Sequence, residues 1–194
     1  MPVPFLGNEL LSGDLVRLAR PIPADFAEIA RWSADMEYQR LLRRALVYPG
    51  TETDIAEWLG GKTDEYEFAP FTIRTLDEDR LVGFLGIKDI FWQSRHCSFF
   101  VSIGDSAERG KGYGSDAVKA MLKYCFWEMN LNRVGLEVMS YNEAAKRSYE
   151  KIGFKHEGTM RQWVYRDGVY YDIELMSILR PEWEALYGES SKRK

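Results

Sequence analysis

Six residues near the middle of the 194-residue chain, Arg109-Gly110-Lys111-Gly112-Tyr113-Gly114, set three glycines and two cations between an apolar segment and a long amphipathic one. Without Cβ atoms the backbone can turn tightly and come close to a ligand. At the start of a helix the free amide N–H groups and the positive end of the dipole face that ligand, which makes a site for phosphate. A Walker loop needs Ser or Thr directly after Gly-Lys, and Gly112 stands there instead. A dinucleotide fingerprint needs a strand opening a parallel βαβ unit with an acidic residue about 20 residues further on. A glycine-rich turn that binds nothing is the plain alternative.

The elements that must position this loop follow from the periodicity of the chain. Asp14 to Arg20 alternates as a strand does and stops at Pro21. Pro23 suits an early helical position, with Phe26, Ile29 and Ala30 on one face. Asp35 to Arg44 predicts a second short helix, and Thr53 to Glu57 opens a third with a hydroxyl cap and an acidic first turn. Glu67 to Leu76, Leu81 to Phe91 and His96 to Gly104 read as three antiparallel strands. Ser115 to Met129 carries a helical stripe through Val118, Met121, Leu122, Cys125 and Met129. Arg133 to Ser140 is a strand and Asn142 to Lys151 a helix ended by Gly153. Two last strands flank the turn Arg166-Asp167-Gly168. The strands before the loop are antiparallel in this reading, which weakens both nucleotide-loop rivals. No repeat or linker interrupts the series, so residues 1–194 are read as one domain.

Composition narrows the function classes. The chain is 45% hydrophobic and 14% aromatic, enough to offset the entropy of folding. With 26 Lys+Arg against 30 Asp+Glu the formal charge is −4 and the pI about 5.4, so nucleic acid is not an expected partner. The terminal Lys192-Arg193-Lys194 is too short to change this. No apolar run reaches the roughly 18–20 residues that cross a bilayer. Met1-Pro2-Val3-Pro4 lacks the flank and core of a signal peptide, and a cytoplasmic location without a membrane partner is expected. Cys97 and Cys125 read as small buried hydrophobes, and no metal site is expected from two cysteines and two histidines.

Arg109-x-x-Gly112-x-Gly114 resembles the pyrophosphate loop of the GNAT (Gcn5-related) N-acetyltransferases, Gln/Arg-x-x-Gly-x-Gly/Ala. The stretch from Asn142 to Phe154 is similar to the second motif of that family, in which a polar Asn leaves a strand and a Tyr lies one helix later. Glu157-Gly158 and Arg166 to Asp172 resemble the branch of ribosomal-protein N-terminal (RimJ/RimL type) and spermidine acetyltransferases. The resemblance covers the chain from about Leu81 onward. It implies an α/β fold of α+β type: a mixed, mostly antiparallel sheet splayed between its fourth and fifth strands and flanked by helices. The cofactor it implies is acetyl-CoA, lying in the splay. By the same resemblance the pantetheine arm pairs with the backbone around Ser102, Ile103 and Gly104. The pyrophosphate takes the amides from Arg109 through Gly110, Lys111, Gly112, Tyr113 and Gly114 to Ser115, and Asn142 holds the pantetheine region. A homodimer stays open.

The implied reaction moves an acetyl group from the thioester to a primary amine by direct attack in a ternary complex, with a protein N-terminus, polyamine or other small amine as acceptor. Tyr149 is the implied proton donor to the departing thiolate, and it contacts the cofactor. A Tyr packed on the sheet is the alternative. For the general base, Glu137, His96, Glu157 and a chain of waters all stay open. Trp32, Tyr38, Arg40, Arg43 and Arg44 form a candidate site for a carboxylate-bearing acceptor, or else a solvated helix face. The acidic run Glu52, Asp54, Glu57, Asp64, Glu65 and Glu67 would instead attract cationic acceptors. A CoA-binding sensor or assembly module without catalysis is the alternative function, and a nucleotide-binding protein of another fold is a third.

Overall fold

The computed structural model describes residues 7–60 and 68–188. Met1 to Pro4, the acidic residues Asp64, Glu65 and Glu67, and the terminal basic triplet lie outside the described residues. The chain runs β1 (Val16–Ala19), α1 (Pro23–Ser33), α2 (Met36–Leu42), α3 (Glu52–Gly60), β2 (Phe68–Thr75), β3 (Leu81–Phe91) and β4 (His96–Ile103). It continues through α4 (Tyr113–Lys123), β5 (Arg133–Met139), α5 (Glu143–Ile152), β6 (Lys155–Arg166), β7 (Val169–Leu179) and α6 (Arg180–Tyr187).

Local chemistry explains the departures from the sequence reading. The hydroxyl cap of α3 is Thr51, not Thr53. Thr51 Oγ1 accepts from Asp54 N (3.2 Å) while the Asp54 carboxylate accepts from Thr51 N (2.7 Å), the two reciprocal bonds of a capping box. The helix expected over Ser115 to Met129 is α-helical only to Lys123. It widens into a π-helical turn over Tyr124–Glu128, where Met129 N donates to Tyr124 O (3.1 Å). Helix α6 was not expected at all. Its signal is Pro181 in the first turn and Glu182 accepting from Leu179 N (2.9 Å).

The seven strands lie in the order β1-β2-β3-β4-β5-β7-β6. Every neighbouring pair is antiparallel except β4 and β5. That parallel pair matches only His96 to Ser98 with Arg133 to Gly135, and the strands then part. The sheet therefore opens between strands 4 and 5 as the resemblance implied. Strand β5 keeps its order through a full antiparallel ladder with β7.

Helices cover both faces, which is why β3, an interior strand, is buried on successive residues from Val82 to Ile87 rather than on alternate ones. Phe26, Ile29, Trp32, Tyr38, Ile55 and Leu59 of α1, α2 and α3 pack with Phe84 on one face. Val118, Met121, Leu122, Ile152 and Trp183 of α4, α5 and α6 pack with Val16, Ile73, Leu85 and Phe99 on the other. Along β4 the alternation is strict: Phe100 faces α3, stacked on Trp58 at 5.3 Å, and Cys97 and Phe99 face α4. Cys97 and Cys125 are buried in this second cluster.

Candidate active site

The parted strands enclose a cleft of about 540 Å³. One wall is the edge of β4 and the other is β5 with the start of α5; the Gly-rich loop and α4 close one end. The register decides which backbone groups face it. Gly104 N donates to Val82 O (3.0 Å), so Gly104 and Ser102 turn their peptide groups into β3, while Val101 and Ile103 turn theirs toward the opening. The sequence reading centred the edge on Ser102, Ile103 and Gly104. In the structure Val101 and Ile103 carry it, Ser102 lines the cleft by its side, and Gly104 is not part of the lining. Gly104 is glycine for packing: a Cβ there would lie 1.9 Å from the Trp32 indole.

The loop holds its amides open. Gly110 and Gly112 have φ of +79° and +91°, the left-handed region that favours glycine. The first bond inside α4 runs from Asp116 N to Gly112 O (3.0 Å). No hydrogen bond among the described residues takes the N–H groups of residues 110–115. Asp116, in the first turn, would oppose an anion there, but its buried carboxylate is turned away. It accepts from the backbone of Asp14 (3.0 Å), Leu15 (2.8 Å) and Val16 (3.0 Å). Arg109, Gly110, Gly112, Tyr113, Gly114 and Ser115 line the cleft. Lys111 does not: its ammonium pairs with Glu108 at 3.1 Å, which helps hold that carboxyl below its usual range. Arg109 is committed as well, donating to Ile103 O (3.3 Å) and Gly104 O (3.0 Å) and lying 3.5 Å from Asp35. Arg147 and Lys151, one turn apart on α5, line the cleft and were missed by the sequence reading. Their signal was there: two cations four residues apart on the helix that carries Tyr149. Unpaired amides, an open strand edge and these cations fit a ligand with phosphates at one end and amide groups along an extended arm.

Tyr149 reaches the cleft from α5 with its ring between Phe99 (6.0 Å) and Phe154 (5.7 Å). Its hydroxyl has no hydrogen-bond partner among the described residues, and burial pushes it above its ordinary value of 10.0. Asn142 also lines the cleft, and its Oδ1 caps α5 by accepting from Ala145 N (3.2 Å). Of the three side chains considered for the base, only Glu137 lines the cleft. His96 lies against the Phe91 ring at 4.7 Å, and Glu157 is bound to Ser177 (2.6 Å) and Arg133. Among the described residues no group of three or more His, Cys, Asp and Glu stands together to hold a metal ion.

The proposed acceptor cluster comes apart. Helix α2 ends at Leu42, so Arg43 and Arg44 do not continue the helical spacing from Arg40. Arg40 makes a two-pronged pair with Asp167 (2.7 and 2.9 Å) at the β6–β7 turn, and Arg44 pairs with Glu137. Arg43 stacks over Tyr48 (5.7 Å) and Trp58 (5.6 Å). Trp32 is buried in the core beneath Gly104, and none of these four lines the cleft. Tyr38 alone of the set does. The turn and α2 are further clamped by Arg166, which donates to the carbonyls of Arg43 (3.0 Å), Arg44 (3.3 Å) and Ala45 (3.0 Å), and by Tyr141, whose hydroxyl donates to Arg40 O (2.6 Å).

A sheet splayed between β4 and β5 with unpaired amides at one end of the opening fits an acyl-CoA-dependent transferase by class. Residues 16–155 match the family described as Acetyltransferase (GNAT) domain, and the chain belongs to that family, whose acyl donor is acetyl-CoA. It is 35% identical over 123 residues to the probable N-acetyltransferase YjcK of Bacillus subtilis (strain 168), covering 63% of this chain and 66% of that one. It is 26% identical over 108 residues to the ribosomal protein uS5 alanine N-acetyltransferase of Escherichia coli (strain K12), covering 55% of each. These matches span less than two thirds of either relative. In fold it resembles the crystal structure of spermidine N-acetyltransferase from Vibrio cholerae in complex with CoA and spermine, with a TM-score of 0.78 and 21% identity over 87% of this chain and 97% of that one. The ribosomal-protein and spermidine acetyltransferases mark the branch. Among the described residues no helix is long and apolar enough to cross a membrane.

Proposed function

We propose that the protein transfers the acetyl group of acetyl-CoA to a primary amine, a protein N-terminus, a polyamine or another small amine, in a ternary complex in the cytoplasm. The observation that carries this reading is the row of unpaired amides at residues 110–115, opening on the same cleft as the free edge of β4 and the hydroxyl of Tyr149.

Bound acetyl-CoA supplies an acyl group on a thioester. The amides of Gly110 to Ser115 hold anionic oxygens, with Arg147 and Lys151 adding charge from α5. Val101 and Ile103 offer peptide groups to an extended arm as a neighbouring strand would. Tyr149 is protonated at every working pH, because burial raises it. A phenol this weak as an acid serves a leaving thiolate best as a hydrogen-bond donor, stabilising charge as it develops. Glu137 accepts the proton of the attacking amine, directly or through water. Arg44 sits on that carboxylate and must yield to a cationic acceptor. With Arg40 and Arg44 each paired to a carboxylate, the arginines no longer argue for an anionic acceptor.

The test is release of free CoA thiol from acetyl-CoA across a panel of peptides, polyamines and amino acids, with CoA binding measured in parallel. Thiol release on at least one amine supports the reading. Tight CoA binding with no release on any amine would favour a sensor, and absence of CoA binding would end the assignment.

A further inference from the structure

Glu108 is an acid at the edge of an anion site. It stands directly before the amide cradle and lines the same cleft as Arg109, Gly110 and Gly112, where a bare carboxylate would repel the phosphates the cradle is read to hold. Asp116, the acid on the other side of the loop, is turned away into the backbone of residues 14–16, and Glu108 is not. Protonation does not remove the charge either, because Lys111 and Arg80 hold this carboxyl below its usual range. The charge has to be balanced where it stands.

That balance is divided between a near residue and a distant one. Lys111, within the loop, lies 3.1 Å from one carboxylate oxygen. Arg80 reaches the other at 3.0 Å from the connection between β2 and β3. Its backbone is fixed there: Arg80 N donates to Thr75 Oγ1 (3.3 Å) and Arg80 O accepts from Thr75 N (3.0 Å). Each oxygen of Glu108 thus has its own cation, and the acid is covered by them, its side chain 16% exposed against 42% for Arg80 and 49% for Lys111. Glu78, also beside the Arg80 guanidinium, stands farther off at 3.7 Å. Arg80 does not itself line the cleft. An ion pair with so exposed a partner adds little to stability, so its effect is to be sought at the cradle.

We infer that Arg80 is a positioning residue for the acyl donor: it holds and neutralises Glu108 at the edge of the cradle, so that phosphates reach the N–H groups of residues 110–115 without facing a repelling carboxylate. The inference rests on the CoA reading of the cleft. The test is a double-mutant cycle of Arg80→Gln and Glu108→Gln, followed by calorimetric titration with CoA at low and high salt. At low salt Arg80→Gln should bind CoA about fivefold more weakly than the parent. Glu108→Gln should bind it at least as tightly as the parent. Adding Arg80→Gln to Glu108→Gln should cost less than about twofold, since the carboxylate to be neutralised is gone. The fivefold deficit should fade as salt is raised, which a merely loosened loop would not do, and ligand-free Arg80→Gln should melt within a few degrees of the parent. Unchanged CoA affinity in Arg80→Gln would overturn the inference, as would a deficit that ignores salt or a large fall in Tm. An equal loss in both backgrounds would overturn it too, because Arg80 would then act on the ligand itself. So would weaker binding by Glu108→Gln alone, which would make the acid a support of the loop. Failure of the parent to bind CoA would instead remove the underlying reading.

Discussion

Gly114→Ala separates what the fold needs from what a ligand needs. Gly114 is helical, and a Cβ added there would lie 3.5 Å from Ile103 Cγ1, an ordinary contact. Nothing inside the protein demands glycine at this position. Alanine in a helix is favoured over glycine by about 0.5–1 kcal/mol, so the ligand-free variant should melt about 1–4 °C higher. The new methyl group stands at the mouth of the amide cradle and holds an anion off the N–H groups of Gly114 and Ser115. One lost hydrogen bond to a charged oxygen is worth about 1.5–3 kcal/mol, roughly 10- to 150-fold in Kd. Calorimetry with CoA reads the affinity and a thermal melt reads the fold. A variant that melts as expected and binds CoA within about threefold of the parent would refute the cradle and with it the placement of the phosphates.

Tyr149→Phe should lower kcat by about 10²–10³ while acetyl-CoA affinity stays near that of the parent. Because burial raises the Tyr149 hydroxyl above 10.0, the group stays protonated as pH rises, and no falling limb of kcat below pH 10 should belong to it. Such a limb, present in the parent and absent from the variant, would count against the role. Arg44→Gln should raise kcat/KM for amine acceptors by up to about fivefold, since it frees Glu137 from a partly exposed pair worth at most about 1 kcal/mol. A fall with every amine would make the pair part of the acceptor site. Asp116→Asn loses an acceptor shared by three backbone amides and should cost roughly 2–4 kcal/mol, read as a Tm drop of about 5–15 °C. An unchanged melt would show that α4 is anchored by other contacts.

The sequence was most legible where local chemistry dominates. The Asp167-Gly168 turn, with φ of +49° and +83°, was readable from two residues, and the glycine loop from its spacing. What escaped it depends on distant partners. Nothing local distinguishes Ser102 from Val101, and only the Gly104–Val82 bond fixes which of them faces the opening. Arg40, Arg43 and Arg44 looked like a free cluster because their partners lie far along the chain, at Asp167, at Trp58 and at Glu137. The π-helical turn after Lys123 keeps the apolar stripe of an ordinary helix, so periodicity alone hides it.

The cleft between β4 and β5 is also lined differently toward the two faces of the sheet. On the face of α4 and α5 it is lined by amides and cations; toward α2 it is lined by Glu137, with the clamp of Arg40, Arg166 and Tyr141 lying outside the lining. Under the proposed reaction, an anionic donor and an amine acceptor would each be met by the wall whose chemistry suits it. Neither has to leave before the other arrives. Initial-rate lines for donor and acceptor should therefore intersect rather than run parallel.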